Sequence, residues 1–600
     1  MSHSFHIPVL GLGYSIDTPL KVARYGITSV VSIVDDELIE RMRQFHCENN
    51  NIPYIQIKKT DEDHRAKRIT AYLNLLNNLV NLQIIELKKQ SFNPESDITK
   101  YFELLPNGSP SKQIYLSMLL EDDEMKKISL QETLRTLMRK GAIEVNIMSK
   151  LDKMNLGKDG LPKGDKFTDA LAALRGFAES DVNSSIVLSA GMNPRLCGYL
   201  SEFPDFYPAN NLPPRKKIIL KVSDYRSGLI QAKFIAKKGL WVHEFRIESG
   251  LNCGGHAFAT EGYLLGPILQ EFKDKRVEMF TELFDIYKAF FKESNIEVDL
   301  PVTRITVQGG IGTAEENTFL KEYYNLDGTG WGSPFLLVPE ATNVDTDTLN
   351  LLKDANADDF YISGASPLGI PFNNFKKSSA EIQRLERIAK GRPGSPCIKK
   401  FLVSNTEFTE NAICLSSREY QNLKIKELKT LEVTVDEYDK RFKQITDKLC
   451  LCEGLCTSTY IKNSMLKPRE NVAVAICPGP NTSFFSGIYS LEEMIKHIYG
   501  KINLLKNVNR PHIFLNEMKL YIDYLKKDIE NNANQLTDKK IKQLERFKEQ
   551  LLNGVEYYHQ LVPTINKFCE SCTKGFKNDL AVLGTLIQKM EIGIPSVENS

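Results

Sequence analysis

From Ile7 to about Ala341 short apolar runs alternate with helical patterns, and this rhythm constrains the fold more than any other feature of the chain. Runs of four to eight apolar residues bounded by turn residues read as buried strands, and strands separated by helices imply βαβ units closing a parallel sheet. The strand candidates are Ser29-Val34, Ala142-Ile147, Ser185-Ser189, Lys217-Val222, Trp241-Ile247 and Thr303-Val307. Between them lie patterns such as Tyr225-Lys238, where Leu229, Ala232, Phe234 and Ile235 make an apolar stripe. This alternation predicts an α/β chain with a parallel sheet, and the paired glycine turns that follow Val307 add the expectation of a (β/α)8 barrel.

Two segments break the rhythm. From about 58 to 139 the chain is charged and helical, with polar turns near Phe92-Ser96 and Pro106-Ser111, and it is expected to be a helical insertion. After about 371 the texture changes again. A charged helix over Ser378-Lys390, the turn Gly391-Cys397 and a cysteine-bearing stretch lead to Lys- and Glu-rich amphipathic helices beyond about 490. The expected organisation is therefore a barrel over 1–371, a Cys-containing accessory region over 372–489 and a helical C-terminal region over 490–600.

The chain has 600 residues, and its 77 Lys+Arg nearly cancel 76 Asp+Glu to leave a formal charge of +1. That balance argues against nucleic acid as a general partner, because such binding rests on excess cation. No apolar stretch reaches the ~18 residues of a membrane helix. The start, MSHSFHIPVLGLGYS, has no basic region ahead of an apolar core. No membrane association and a cytoplasmic location are expected. Eleven cysteines, an odd number, make no disulfide framework and suit reduced thiols.

The most informative stretch runs from Ile305 to Ala341. An apolar strand ends in Gly309-Gly310-Ile311-Gly312-Thr313, and a helix begins at once with Ala314-Glu315-Glu316. Glycines there let backbone N–H groups approach an anion, and a helix N-terminus favours negative charge. A second Gly-rich turn, Asp327-Gly328-Thr329-Gly330-Trp331-Gly332-Ser333, follows one helix later. One such turn is also what an ordinary tight turn looks like. Two in successive βα loops are what a barrel's phosphate site needs after its seventh and eighth strands.

These residues resemble the FMN-binding barrel of nitronate monooxygenases, formerly 2-nitropropane dioxygenases, and of the related FMN-dependent enoyl-acyl-carrier-protein reductases. That pattern is a GGI turn, a helix, an acidic-Gly turn and G-T-x-F-L; here it reads Gly309-Gly310-Ile311, Asp327-Gly328 and Gly332-Ser333-Pro334-Phe335-Leu336. Further matches follow in order. Pro8-Val9-Leu10-Gly11 stands for the opening P-M-A-G turn, Ile143-Glu144-Val145-Asn146-Ile147 for a G-V-N-L element, Val187-Pro194 for V-S-F-G-x-P, and Cys253-Gly254-Gly255-His256 for A-G-G-H. Leu10, Cys253 and Ser333 depart from the usual Met, Ala and Thr.

The resemblance implies FMN as cofactor, held by Leu10, Gly11, Asn146, Lys221, Gly255, Gly309, Gly310, Gly312, Gly330, Gly332 and Ser333. Asn146 would meet the ring or ribityl chain and Lys221 its pyrimidine edge. It implies a small-molecule substrate, either an acidic carbon compound to be oxidised or an enoyl thioester to be reduced, with NAD(P)H as a possible electron donor. His256, after two glycines at a strand's C-terminal end, is the candidate catalytic group, because an imidazole can take or give a proton near neutral pH. His46, His243, His497 and His559 lack such a setting. Cys253 reads as a small filler or as a thiol near the flavin.

Three cysteines crowd the run CLCEGLC, Cys450, Cys452 and Cys456, with Cys477 after it and Cys569 and Cys572 in the tail. Thiolates select iron–sulfur clusters or zinc, but C-x-C-x3-C is neither a ferredoxin nor a zinc-knuckle spacing, and buried thiols are the simpler reading. The rival to an enzyme is a non-catalytic barrel holding FMN or another phosphate ligand. Its C-terminal helices would dock a protein partner or a second copy.

Overall fold

The computed structural model describes residues 2–592, apart from 149–151, 156, 158–159, 190, 192, 210–211, 258–260, 294, 533–536 and 569–574. Eight parallel strands close a barrel in sequence order: β1 Phe5–Ile7, β2 Thr28–Ser32, β3 Ile143–Ile147, β4 Ser184–Leu188, β5 Lys216–Val222, β6 Val242–Glu248, β7 Arg304–Gln308 and β8 Gly328–Gly330. Closure runs through Phe5 beside Thr329 and His6 beside Gly330. The six expected strands appear within two residues of their expected ends. β8 is the exception, because Gly328-Thr329-Gly330 reads as a turn and is a strand. Its glycines answer to crowding: a Cβ on Gly330 would lie 2.6 Å from the Gln308 Cβ and 2.8 Å from the His6 ring.

Period-two alternation sends one set of side chains inward. Outward residues such as Val145, Ile186, Leu220, Phe245 and Val307 join the main core under the ring of helices, while inward Val30, Val187 and Ile219 make a small apolar cluster of their own. The rest of the interior is polar. Arg246 Nη2 reaches Glu144 at 2.9 Å, and the Arg246 Nε donates to Glu244, which also accepts from Thr306. Arg246 and Arg304 hold the Glu244 carboxyl down against the burial that would raise it, whereas burial pushes Glu144 up. Buried charges survive only when paired in this way.

The stretch expected as one insertion over about 58–139 divides in two. Helix His64–Lys89 packs on helices Asp36–Asn49 and Asp169–Ala178, and it buries Ala66, Ile69, Tyr72, Leu73, Leu76 and Val80 at helical spacing. It belongs to the barrel's outer ring. The added part begins after it, and helices Pro110–Leu119 and Glu124–Leu137 stand furthest out, near exposed Leu120 and Met125.

Beyond the barrel, β9 Phe360–Ser363 and β10 Phe372–Phe375 form an antiparallel hairpin, and helix Leu451–Lys462 crosses the mouth. The C-terminal helices Ile513–Asn532 and Asp538–Phe568 pack on the barrel's own helices, and Phe576–Gln588 packs on those two. Phe514 stacks on Tyr558 with ring centres 4.7 Å apart, and the Tyr558 hydroxyl accepts from Gly266 N–H. Among the described residues, no helix is long and apolar enough to cross a membrane.

Candidate active site at the barrel mouth

The C-terminal ends of barrel strands carry the catalytic groups of this architecture, and here they open into a cavity of about 210 Å³. The floor is polar. Ser32 ends β2, Asn146 projects from β3, Lys221 from β5 and Glu248 from β6, all on the inward alternation. Lys221 Nζ and Glu248 Oε2 lie 2.9 Å apart, Glu248 Oε1 accepts from Gln308, and Gln308 Oε1 faces the His6 ring at 3.3 Å. Burial and the nearby Arg246 push His6 down to about 3, so it stays neutral. The barrel interior therefore holds the Lys221–Glu248 pair from below.

The 249–257 loop brings in the imidazole. Gly254 and Gly255 take positive φ, 119° and 82°, which only glycine adopts at low cost. The Gly254 N–H donates to Asn252 Oδ1, and the Gly255 carbonyl accepts from Asn373 N–H. His256 then pairs with Phe372 of β10 and lies edge-to-face on its ring at 5.2 Å. Its Nε2 is 2.7 Å from Ser366 Oγ. Ser366 belongs to the β9–β10 connection, just ahead of the accessory region, which itself supplies Phe372.

The β9–β10 connection and the accessory region after it supply the roof. Leu368, Ile370, Phe372, Phe401, Leu402, Leu451 and Leu455 close the cavity over Val9, Leu12, Val34 and Met148. None of these carries a motif, and their sequence signal is no more than scattered apolar residues. The resulting space is apolar, with one polar side. It falls below the ~300–1,000 Å³ typical of sites for drug-sized ligands.

Of the residues assigned to a cofactor, Gly11, Asn146, Lys221 and Gly255 line this cavity together with His256. Leu10, Gly309, Gly310, Gly312, Gly330, Gly332 and Ser333 do not line it. Leu10 is buried, its N–H donating to Ser15. The glycines after β7 and β8 serve loop packing. A Cβ on Gly309 would lie 2.7 Å from Asn252 Cα, one on Gly310 2.4 Å from the Leu251 side chain, and one on Gly332 2.5 Å from Cys253 Cβ. Ser333 Oγ donates to the Cys253 carbonyl and accepts from Gly479 N–H. Cys253 is thus a filler between loops, its thiol pushed up by burial.

FMN needs a ring site and a phosphate site. The mouth offers the first. The second is filled by the chain itself, since Glu316, Asn481 and Arg510 occupy the space beside Gly310 and Gly312. The residues present therefore do not fit FMN in the manner the resemblance implies.

Two of the four candidate thiols, Cys450 and Cys452, lie within electrostatic reach of each other and of Cys397 and Cys414, whereas Cys456 and Cys477 have other neighbours. Cys452 and Cys456 share a face of helix Leu451–Lys462, Cys450 precedes it, Cys456 donates to Asp35, and Cys477 lies at the cavity wall. Burial pushes Cys450 up to about 11 and Cys477 to about 12, which keeps both protonated. Among the described residues no group of three or more His, Cys, Asp or Glu side chains is placed to hold a metal. Cys569 and Cys572 lie outside the described residues.

No protein-family model matches the chain, and no curated protein matches it. Among solved structures, a point mutant of FabK from Thermotoga maritima is similar over 67% of this chain and 84% of its own, with 12% identity and a TM-score of 0.30. Nitroalkane oxidase from Streptomyces ansochromogenes is similar over 63% of this chain and 84% of its own, with 10% identity and a TM-score of 0.30. TM-scores this low carry no argument about function.

Proposed function

We propose that the chain is an oxidoreductase whose reaction takes place in the mouth cavity, on a small, largely apolar substrate bearing one polar oxygen group. The observation that carries this reading is convergence. Gly11, Asn146, Lys221, Gly255 and His256 come from four different strand ends and line one cavity. Gly11, Asn146, Gly255 and His256 also belong to the motifs that resemble flavin-dependent barrel enzymes.

The chain's own groups divide the work. The apolar roof excludes water and seats the carbon skeleton, which strengthens every polar contact beneath it. Asn146 and the ammonium of Lys221 receive the substrate or ring oxygen, where negative charge would be stabilised. His256, oriented by Ser366, holds or moves the proton at the reacting carbon. Nitronate oxidation and enoyl-thioester reduction, the two activities of the resembled families, make this same demand, and both stand as the finer readings.

A second reading is a barrel that binds a flavin without catalysis, and the predominantly apolar lining of the cavity, with Phe372, Leu402, Leu451 and Leu455 in its roof, is the observation in its favour. One experiment separates the two. The purified full-length chain is mixed with FMN and with riboflavin, its absorbance spectrum is recorded, and consumption of nitronate and enoyl thioester is assayed. Bound flavin together with turnover of either compound supports the oxidoreductase. Bound flavin without turnover of either compound favours the binding role, and a chain that binds neither flavin and consumes neither compound refutes the oxidoreductase.

A further inference from the structure

In a barrel of this kind the loop after β7 and the helix that follows it are where an external phosphate would sit. In this chain a carboxylate stands there already. Glu316, in the first turn of helix Ala314–Tyr323, is almost wholly buried. Its Oε2 accepts from Gly312 N–H at 2.9 Å, and its Oε1 accepts from Ile513 N–H at 2.7 Å and from Arg510 Nη1 at 2.6 Å. Arg510 holds the Glu316 carboxyl below its ordinary range despite the burial that would raise it.

The countercharge is just as well placed. The side chain of Arg510 is 3% exposed. Nη2 donates to the Gly310 carbonyl at 2.6 Å and Nε to Asn481 Oδ1 at 2.9 Å, while Asn481 Nδ2 donates to the Ile311 carbonyl at 2.8 Å. A Cβ on Gly312 would lie 2.4 Å from the guanidinium carbon, so the glycine makes room for an arginine and not for a ligand. Phe484 covers the guanidinium at 5.6 Å. The Gly312 amide and the Arg510 cation are bonded to the chain's own anion, and the helix end is capped by the Thr313 hydroxyl, which accepts from Glu316 N–H.

We propose that Glu316 and Arg510 make this station a closed internal ion pair that ties the segment around Arg510 to the barrel, so that ligand selection at the mouth takes no account of a phosphate group. This goes beyond the proposed function and does not require it, since the station is closed whatever the cavity binds.

The test uses the full-length chain, with inorganic phosphate, FMN and riboflavin as probes, read by thermal denaturation and by equilibrium titration. In the unaltered chain, inorganic phosphate is expected to leave Tm unchanged. FMN and riboflavin, where they bind, should do so within about threefold of each other, whereas a phosphate held by several amide and guanidinium donors would favour FMN by more than ~100-fold. Glu316→Ala frees Gly312 N–H, Ile513 N–H and Arg510 for an external anion, and this variant should gain a phosphate-dependent rise in Tm. If that variant does not fold, the titrations of the unaltered chain decide alone. A phosphate-dependent rise in Tm of the unaltered chain, or a strong preference for FMN over riboflavin, overturns the proposal. Failure of both flavins to bind would refute the flavin reading while leaving the phosphate arm to decide this one.

Discussion

Two residues, one half-buried at the mouth and one buried below the C-terminal helices, make the sharpest single-site predictions. His256 is joined to Ser366 and Phe372 and faces the cavity. Replacing it with Asn keeps size and one hydrogen bond but removes the titrating ring. Turnover of whichever compound the chain consumes should fall ~10²–10⁴-fold, with ligand affinity nearly unchanged. Loss of affinity with normal turnover of the residual complex would make His256 a structural residue. The second residue is Glu517, whose carboxylate is buried between Gly250 N–H at 2.7 Å and Leu265 N–H at 2.6 Å. Burial raises it from 4.5 to about 7. Because the folded chain holds this proton more tightly than the unfolded one, its contribution is full below pH 4.5 and is lost as pH rises through about 7. The loss is of the order of 3 kcal/mol. Denaturant unfolding of the Glu517→Gln variant should lack that decline between those pH values, and an unchanged pH profile would contradict it.

At the scale of elements, most barrel strands were legible because an apolar run bounded by turns has few other readings. β8 was not legible, since Gly328-Thr329-Gly330 carries no apolar signature and owes its conformation to His6 and Gln308 beside it. Helix His64–Lys89 was read as inserted because its charged outer face masks the stripe that packs on the barrel. Deletion of 58–139 should therefore leave an aggregated chain in size-exclusion chromatography, whereas deletion confined to the two helices Pro110–Leu119 and Glu124–Leu137 should leave it folded; equal solubility of both would overturn the placement of that helix. The glycines after β7 were legible as special but not as to purpose. Their partner loop lies some sixty residues earlier, and the Glu316–Arg510 pair spans 194 residues. Gly309→Ala combines positive φ with a clash at Asn252, so it should destabilise by ~1–3 kcal/mol in denaturant melts. A loss of ligand affinity without loss of stability would return that loop to the binding site.

Across the whole molecule, the C-terminal 230 or so residues complete the barrel instead of hanging from it. They roof the cavity, pack Phe372 on His256, fill the anion station and cover the helices after β6 and β7. Sequence reading could not assign them, because a roof needs only apolar residues at the right places in space. The central claim is that this roofed mouth is where the chain binds and acts. The most direct test is a flavin fluorescence titration of the full-length chain beside its Leu455→Trp variant, in which an indole is built from the roof into the cavity. The account predicts saturable riboflavin binding by the unaltered chain and at least ~10-fold weaker binding by the folded variant. No binding by the unaltered chain, or equal binding by both, would contradict it.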